Sequence, residues 1–100
     1  MSEEGVELDR DTFTARRDGK TIELTAKEFA LLEYLMAQPG KIATKDQIMQ
    51  QVWDYDADIL PNTVEVYIGY LRNKIDKPFS KLPKLINTRR GFGYFFGPKE

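Results

Sequence analysis

The sequence contains no cysteine and no histidine. Without cysteine there is no disulfide and no thiolate metal site. Without histidine the commonest general base and the commonest zinc and iron ligand are missing. No Ser/His or Cys/His nucleophile pair can form, and no glycine-rich phosphate loop is present. Carboxylates are plentiful but fall on loops and helix caps. An enzyme is therefore not expected, nor a cofactor or a metal. No apolar run approaches the roughly 20 residues of a bilayer span, and no signal-peptide pattern opens the chain. These absences predict a soluble, intracellular domain with no membrane partner. Internal repeats and low-complexity segments are absent too.

What is present suits one small domain with a core of its own: 100 residues, 41% hydrophobic, 12% aromatic. The formal net charge of −1 conceals an asymmetry. Residues 1–61 hold seven Lys/Arg against thirteen Asp/Glu, a net −6, and residues 62–100 hold eight against three, a net +5. A nucleic acid needs only one basic face, so the distribution points to a phosphate-bearing partner where the total does not.

Residues 1–5 read as a disordered or appended start, ahead of a domain over residues 6–97. Val6-Glu-Leu-Asp9 and Thr12-Phe-Thr-Ala-Arg16 alternate, and Asp18-Gly19 is a hairpin turn leading into Lys20-Thr-Ile-Glu-Leu24. Three or four short antiparallel strands follow from this pattern. Thr25-Ala-Lys-Glu28 is a capping box that opens a helix over residues 25–38, apolar at Phe29, Leu32, Leu35 and Met36 and ended by Pro39-Gly40. Ile42-Ala43 adds a short strand. Thr44 with Gln47 caps a second helix, apolar at Ile48, Val52 and Trp53, and an acidic loop covers residues 54–61.

The third helix spans residues 62–75. Val64, Ile68, Leu71 and Ile75 fall on one narrow stripe at about 100° per residue. Asn62 and Glu65 can form a capping-box-like pair at its start. The opposite face carries Asn62, Val66, Gly69, Tyr70 and Asn73. It has no Glu–Lys ladder and includes a glycine that costs roughly 0.5–1 kcal/mol relative to alanine. Such a face suits coverage by a partner. A basic connector then leads to a hairpin over residues 85–96 with Arg89 and Arg90 at its tip. The fold class is α+β: a winged helix-turn-helix with an N-terminal antiparallel sheet, a three-helix body and a C-terminal hairpin wing. In that architecture the third helix enters the major groove and the wing reaches the adjacent backbone or minor groove.

Four motifs in order, Leu24-Thr-Ala-Lys-Glu-Phe-Ala-Leu-Leu32, Val52-Trp53, Asn62-Thr-Val-Glu-Val-Tyr-Ile-Gly-Tyr-Leu-Arg72 and Asn87-Thr-Arg-Arg-Gly-Phe-Gly-Tyr94, resemble the DNA-binding effector domain of OmpR/PhoB-type response regulators. The resemblance covers about residues 5–97. It implies a four-stranded N-terminal sheet and transcriptional control in a bacterial cytoplasm, downstream of a sensor kinase. The kinase would act through a receiver domain that this sequence does not contain. It also implies binding to double-stranded DNA at direct repeats by a domain that is a monomer alone and pairs on DNA. Residue by residue, Thr63, Tyr67 and Arg72 match phosphate contacts, and Glu65 and Val66 match positions facing base edges. Trp53, Thr88, Arg90 and Tyr94 match backbone contacts. The loop with Asp54, Asp56 and Asp58 matches a surface for RNA polymerase. Gly69-Tyr70 departs from the family, where many members are basic, and this shifts the electrostatic share toward the wing.

Each assignment has a plainer alternative. Arg89 and Arg90 suit bidentate phosphate or minor-groove contact, or a solvated turn. Arg72 and Lys74 suit phosphates, or salt bridges to the acidic half. Glu65 either accepts from a cytosine amino group or only caps its helix. Val66 meets a thymine methyl or is a stray exposed residue. Tyr70 touches a base or sugar, or packs on the wing; Trp53 is core or phosphate contact. Asp54, Asp56, Asp58 and Glu65 have partial calcium-loop spacing over residues 54–65, but Ile59 stands where a glycine is needed and Pro61 lacks an N–H. A protein–protein interaction module is the alternative function, favoured by the non-basic outward face of the third helix.

Overall fold

The computed structural model describes residues 1–54 and 59–99. Four strands, β1 (Ser2–Glu3), β2 (Val6–Asp9), β3 (Thr14–Arg17) and β4 (Lys20–Glu23), form an antiparallel meander in sequence order. Asp18 and Gly19 both adopt positive φ, at 51° and 77°, which makes the two-residue turn whose twist suits a hairpin. The start of the chain corrects the expectation of disorder. Glu4 and Gly5 form a second such turn, and Ser2 and Glu3 pair with Glu7 and Val6. An acidic residue before glycine tolerates positive φ, so this turn closes a strand too short to show alternation.

Helix α1 (Ala26–Met36) begins at Thr25, and both halves of the capping box are made. Helix α2 (Lys45–Ile48) begins at Thr44 with a complete box to Gln47. It continues as a wider turn over Met49–Trp53, and Asp54 in the left-handed region ends it. Helix α3 (Thr63–Leu71) likewise continues through Arg72–Asp76 and a tight turn at Lys77–Phe79. Val64, Ile68, Leu71 and Ile75 are all buried, as their spacing predicts. They meet Leu31, Leu32, Leu35 and Met36 of α1, with Ile48, Val52 and Trp53, in one core. Each such fully buried aliphatic side chain contributes about 1.5–3 kcal/mol.

Strands β5 (Ile86–Arg89) and β6 (Gly93–Phe96) form the wing. Ala43 adds a bridge to Tyr94, with N–H···O bonds of 2.7 and 3.0 Å, so the expected short strand at residues 42–43 is a single pairing on the wing's inner edge. Gly93 makes that approach possible: its φ is 153°, and a Cβ there would lie 2.2 Å from the Ala43 carbonyl oxygen.

A buried ion pair joins the sheet to the wing. Arg17 donates to Asp76 at 3.1 Å, to the Ile75 carbonyl and to the Pro83 carbonyl, and it stacks 5.2 Å from the Phe79 ring centroid. Asp76 also accepts from the backbone N–H groups of Leu85 and Ile86. Both carboxylate oxygens and both terminal guanidinium nitrogens are thus hydrogen-bonded, the condition under which two desolvated charges are tolerated.

Candidate nucleic-acid interface

The buried stripe of α3 fixes its opposite face outward. Val66 is 37% exposed and Tyr70 46%, and Asn62 and Asn73 are exposed with them. A Cβ at Gly69 would meet nothing within 4 Å, so the centre of this face is open. Tyr70 stands edge-on to Tyr67 at 5.3 Å, and Tyr67 edge-on to Trp53 at 5.1 Å. This aromatic ladder runs from the core to the open face and braces Tyr70 against its own helix. Trp53 is 5% exposed, which puts its ring in the core and not on the surface. The Lys27 ammonium lies 6.0 Å from that ring and bonds the Val52 carbonyl.

One expectation for α3 is corrected, and in its extension the plainer of the two readings of Lys74 is the one the structure shows. Asn62 makes no side-chain cap; Thr63 N–H bonds the Leu60 carbonyl, and Asn62 lies outside the extended geometry that a capping side chain needs. Lys74 points away from the open face. Its ammonium bonds Glu28 Oε1 at 2.6 Å and the Glu23 carbonyl at 3.0 Å, beside the N-terminus of α1. Burial opposes ionisation of Glu28, but Lys74 and the Thr25 N–H outweigh it, and the carboxyl sits below the usual carboxylate range. Lys74 is spent on a structural pair.

Arg72 stays at the interface in a different way. Its guanidinium donates to the Ile86 carbonyl at 3.0 Å and to the Thr88 hydroxyl, clamping the end of α3 to β5. Among the described residues Arg72 forms no salt bridge to the acidic half. Thr88, Arg89 and Arg90 are exposed along the wing, and Thr63 is half-buried at the start of α3.

Between α3 and the wing runs a groove of about 260 Å³ lined by Lys45, Glu65, Thr88, Arg89, Phe92 and Tyr94 among others. It brings together Glu65 of α3 and Tyr94 of β6, 29 residues apart in sequence. Lys45 lies 3.3 Å from Glu65, an ion pair that sequence reasoning missed. A lysine in the first turn of a helix opposes the helix dipole, and that was the one available sign that Lys45 has an acidic neighbour. Glu65, the twelfth position of the calcium-like spacing, is thereby engaged. Burial first, and then the Glu65 charge, push the Tyr94 hydroxyl above its ordinary value, so at neutral pH it remains a donor. Asp54 is exposed, while Asp56 and Asp58 lie outside the described residues. Among the described residues no group of three or more acidic, His or Cys side chains converges as a metal site.

Residues 19–96 match the family model for the C-terminal region of transcriptional regulatory proteins. The chain belongs to this OmpR/PhoB-type family. It is a family of transcription regulators and not of enzymes. The chain is 43% identical over 90 residues to the response regulator ArlR of Staphylococcus saprophyticus, covering 90% of the chain and 40% of that protein. It is 46% identical over 87 residues to the response regulator MprA of Mycobacterium sp. (strain KMS), covering 87% and 37%. The chain thus spans about 40% of the length of the curated relatives it matches. Its backbone superposes with a TM-score of 0.81 on the Klebsiella pneumoniae RstA DNA-binding domain, solved in complex with the RstA box, at 25% identity over 99% of the chain and 97% of that domain. The α+β winged helix-turn-helix fold is that of these domains. No helix among the described residues is long and apolar enough to cross a membrane.

Proposed function

We propose that this chain is the sequence-specific, double-stranded-DNA-binding effector domain of a two-component response regulator. Helix α3 enters the major groove, and the wing holds the adjacent backbone or minor groove. One observation carries the reading. The outward face of α3 is open, uncharged at its centre and flanked by a wing that projects Arg89 and Arg90, within a family of transcription regulators. The two surfaces divide the labour. Val66, Glu65 and Tyr70 can discriminate base edges but neutralise no phosphate, whereas wing arginines neutralise phosphates. Arg72 acts here chiefly by locking the wing to α3.

The test is binding of the domain to a duplex chosen by in vitro selection, over a series of salt concentrations. Four to six phosphate contacts give a log–log slope of about −4 to −5. A flat salt response contradicts this reading and favours the protein-interaction alternative.

The acidic loop serves a different partner in this scheme. Asp54, Asp56 and Asp58 would be repelled by phosphate and are assigned to RNA polymerase. Asp56→Ala with Asp58→Ala leaves DNA binding within about twofold and alters transcription from a promoter bearing the site. Loss of DNA binding with an intact fold refutes that assignment. The link to a sensor kinase belongs to a receiver domain in a longer parent protein, located in the cytoplasm, and is tested by phosphotransfer to that protein. Pairing on direct repeats is tested by sedimentation of the domain alone and with a two-repeat duplex, where one and two copies are expected.

A further inference from the structure

The tip of the wing holds a large apolar side chain with no protein partner to bury it. Phe92 is 65% exposed, more than any other aromatic residue in the core or on the α3 face described above. It sits between Gly91, at φ 82°, and Gly93. The turn is closed by a hydrogen bond from Phe92 N–H to the Arg89 carbonyl, 2.9 Å. The Arg89 guanidinium lies 5.9 Å from the Phe92 ring centroid, within cation–π range. Phe92 also lines the groove that Glu65, Lys45 and Tyr94 share, so it is on the same side of the molecule as the start of α3.

An exposed phenyl ring in water is unfavourable, and this one lies against Arg89, in a groove that Lys45 also lines beside its partner Glu65, with the exposed Arg90 two residues before it in the chain. The occupant that satisfies both features is polyanionic and presents an apolar surface a few ångströms inside its charges. The minor groove of a duplex does this, with phosphates at the rim and deoxyribose faces on the walls; phenyl groups are among the apolar wedges that proteins place there. We infer that Phe92 is a minor-groove contact residue, an apolar wedge that Arg89 holds against the tip of the wing and that enters the groove beside the arginines. This rests on the DNA-binding reading above. It makes the wing more than an electrostatic anchor, because part of its hold on DNA releases no counterion.

The experiment compares Phe92→Ala, Phe92→Leu and Arg90→Ala with the unaltered domain on one selected duplex across a salt series. Phe92→Ala weakens binding roughly tenfold with an unchanged salt slope, Phe92→Leu retains most of the affinity, and Arg90→Ala lowers the slope by about one. Thermal unfolding of the Phe92 variants matches the unaltered domain, since the ring is exposed. In the flank that hydroxyl-radical footprinting assigns to the wing, G·C pairs are then exchanged for inosine·C, which removes only the minor-groove amino group. The unaltered domain prefers the inosine duplex, and Phe92→Ala loses most of that preference. Affinity within twofold for Phe92→Ala, a fall accompanied by the slope change of Arg90→Ala, or an undiminished inosine preference each overturns the wedge while the salt-dependent binding of the unaltered domain stands. If that domain shows no salt-dependent binding at all, the DNA-binding reading fails first.

Discussion

Glu28 and Lys74 show how a side chain's role is decided by what lies across the fold. Glu28 closes the capping box of α1 and is buried, and Lys74 reaches it from the extension of α3. Glu28's folded value is depressed, so its contribution to stability is fully present above the unfolded carboxylate value, roughly 4.3, and is lost as pH falls through the lower folded value. Urea unfolding between pH 7 and pH 3 should therefore show a stability loss in the acid range that Lys74→Met flattens; an identical pH profile for the variant contradicts the pairing. The sequence offered a salt bridge to the acidic half as one of two readings of Lys74, without naming Glu28. A lysine on a basic helix suits a phosphate as well as it suits an acid 46 residues away, and only the fold ranks the two. Asn62 failed as a cap for a local reason, since the preceding loop delivers it in a conformation where its side chain cannot reach N3. Trp53 followed the plainer expectation because the apolar side of α2 is also the side that carries it.

At the scale of elements, one close approach helps to seat the wing on the helical body. Gly93 lets β6 pair with Ala43, and no other residue has both the φ of 153° and the space that this contact leaves. Gly93→Ala should destabilise the domain by about 1–3 kcal/mol and cost DNA affinity as the wing lifts from Ala43. Gly69→Ala is the matched control: its Cβ meets nothing, and the helix gains about 0.5–1 kcal/mol. Chemical denaturation of both variants checks the contrast, and equal effects of the two would show that the approach at Gly93 carries no energy. Helices α1 and α2 were readable because capping boxes and apolar spacing agree at their starts. Their ends were less readable, because the wider final turns of α2 and α3 keep the same faces buried and leave no mark in the apolar pattern. β1 escaped because two residues cannot display a period of two.

Across the whole molecule, the sheet, the helical body and the wing share one core, and Arg17 and Asp76, 59 residues apart, are buried together at the base of the wing. Nothing in the sequence marks that pairing, since Arg17 reads as an ordinary strand charge. The charge asymmetry, by contrast, was legible from the start, and the fold refines it. Lys74 and Arg72 are drawn into internal contacts, while Arg89 and Arg90 stay exposed on the wing beside an α3 face that carries no cation at its centre. Affinity and specificity should therefore separate by element. The most direct test measures Arg90→Ala and Val66→Ala on one selected site and one scrambled site, each at two salt concentrations. Arg90→Ala should weaken binding to both DNAs by about 1–2 kcal/mol and reduce the salt slope by about one. Val66→Ala should leave scrambled-site binding nearly unchanged and relax preference at one or two base pairs, each worth roughly 1–3 kcal/mol. If Arg90→Ala alters preference alone while Val66→Ala weakens both DNAs equally, the division of roles between helix and wing is contradicted.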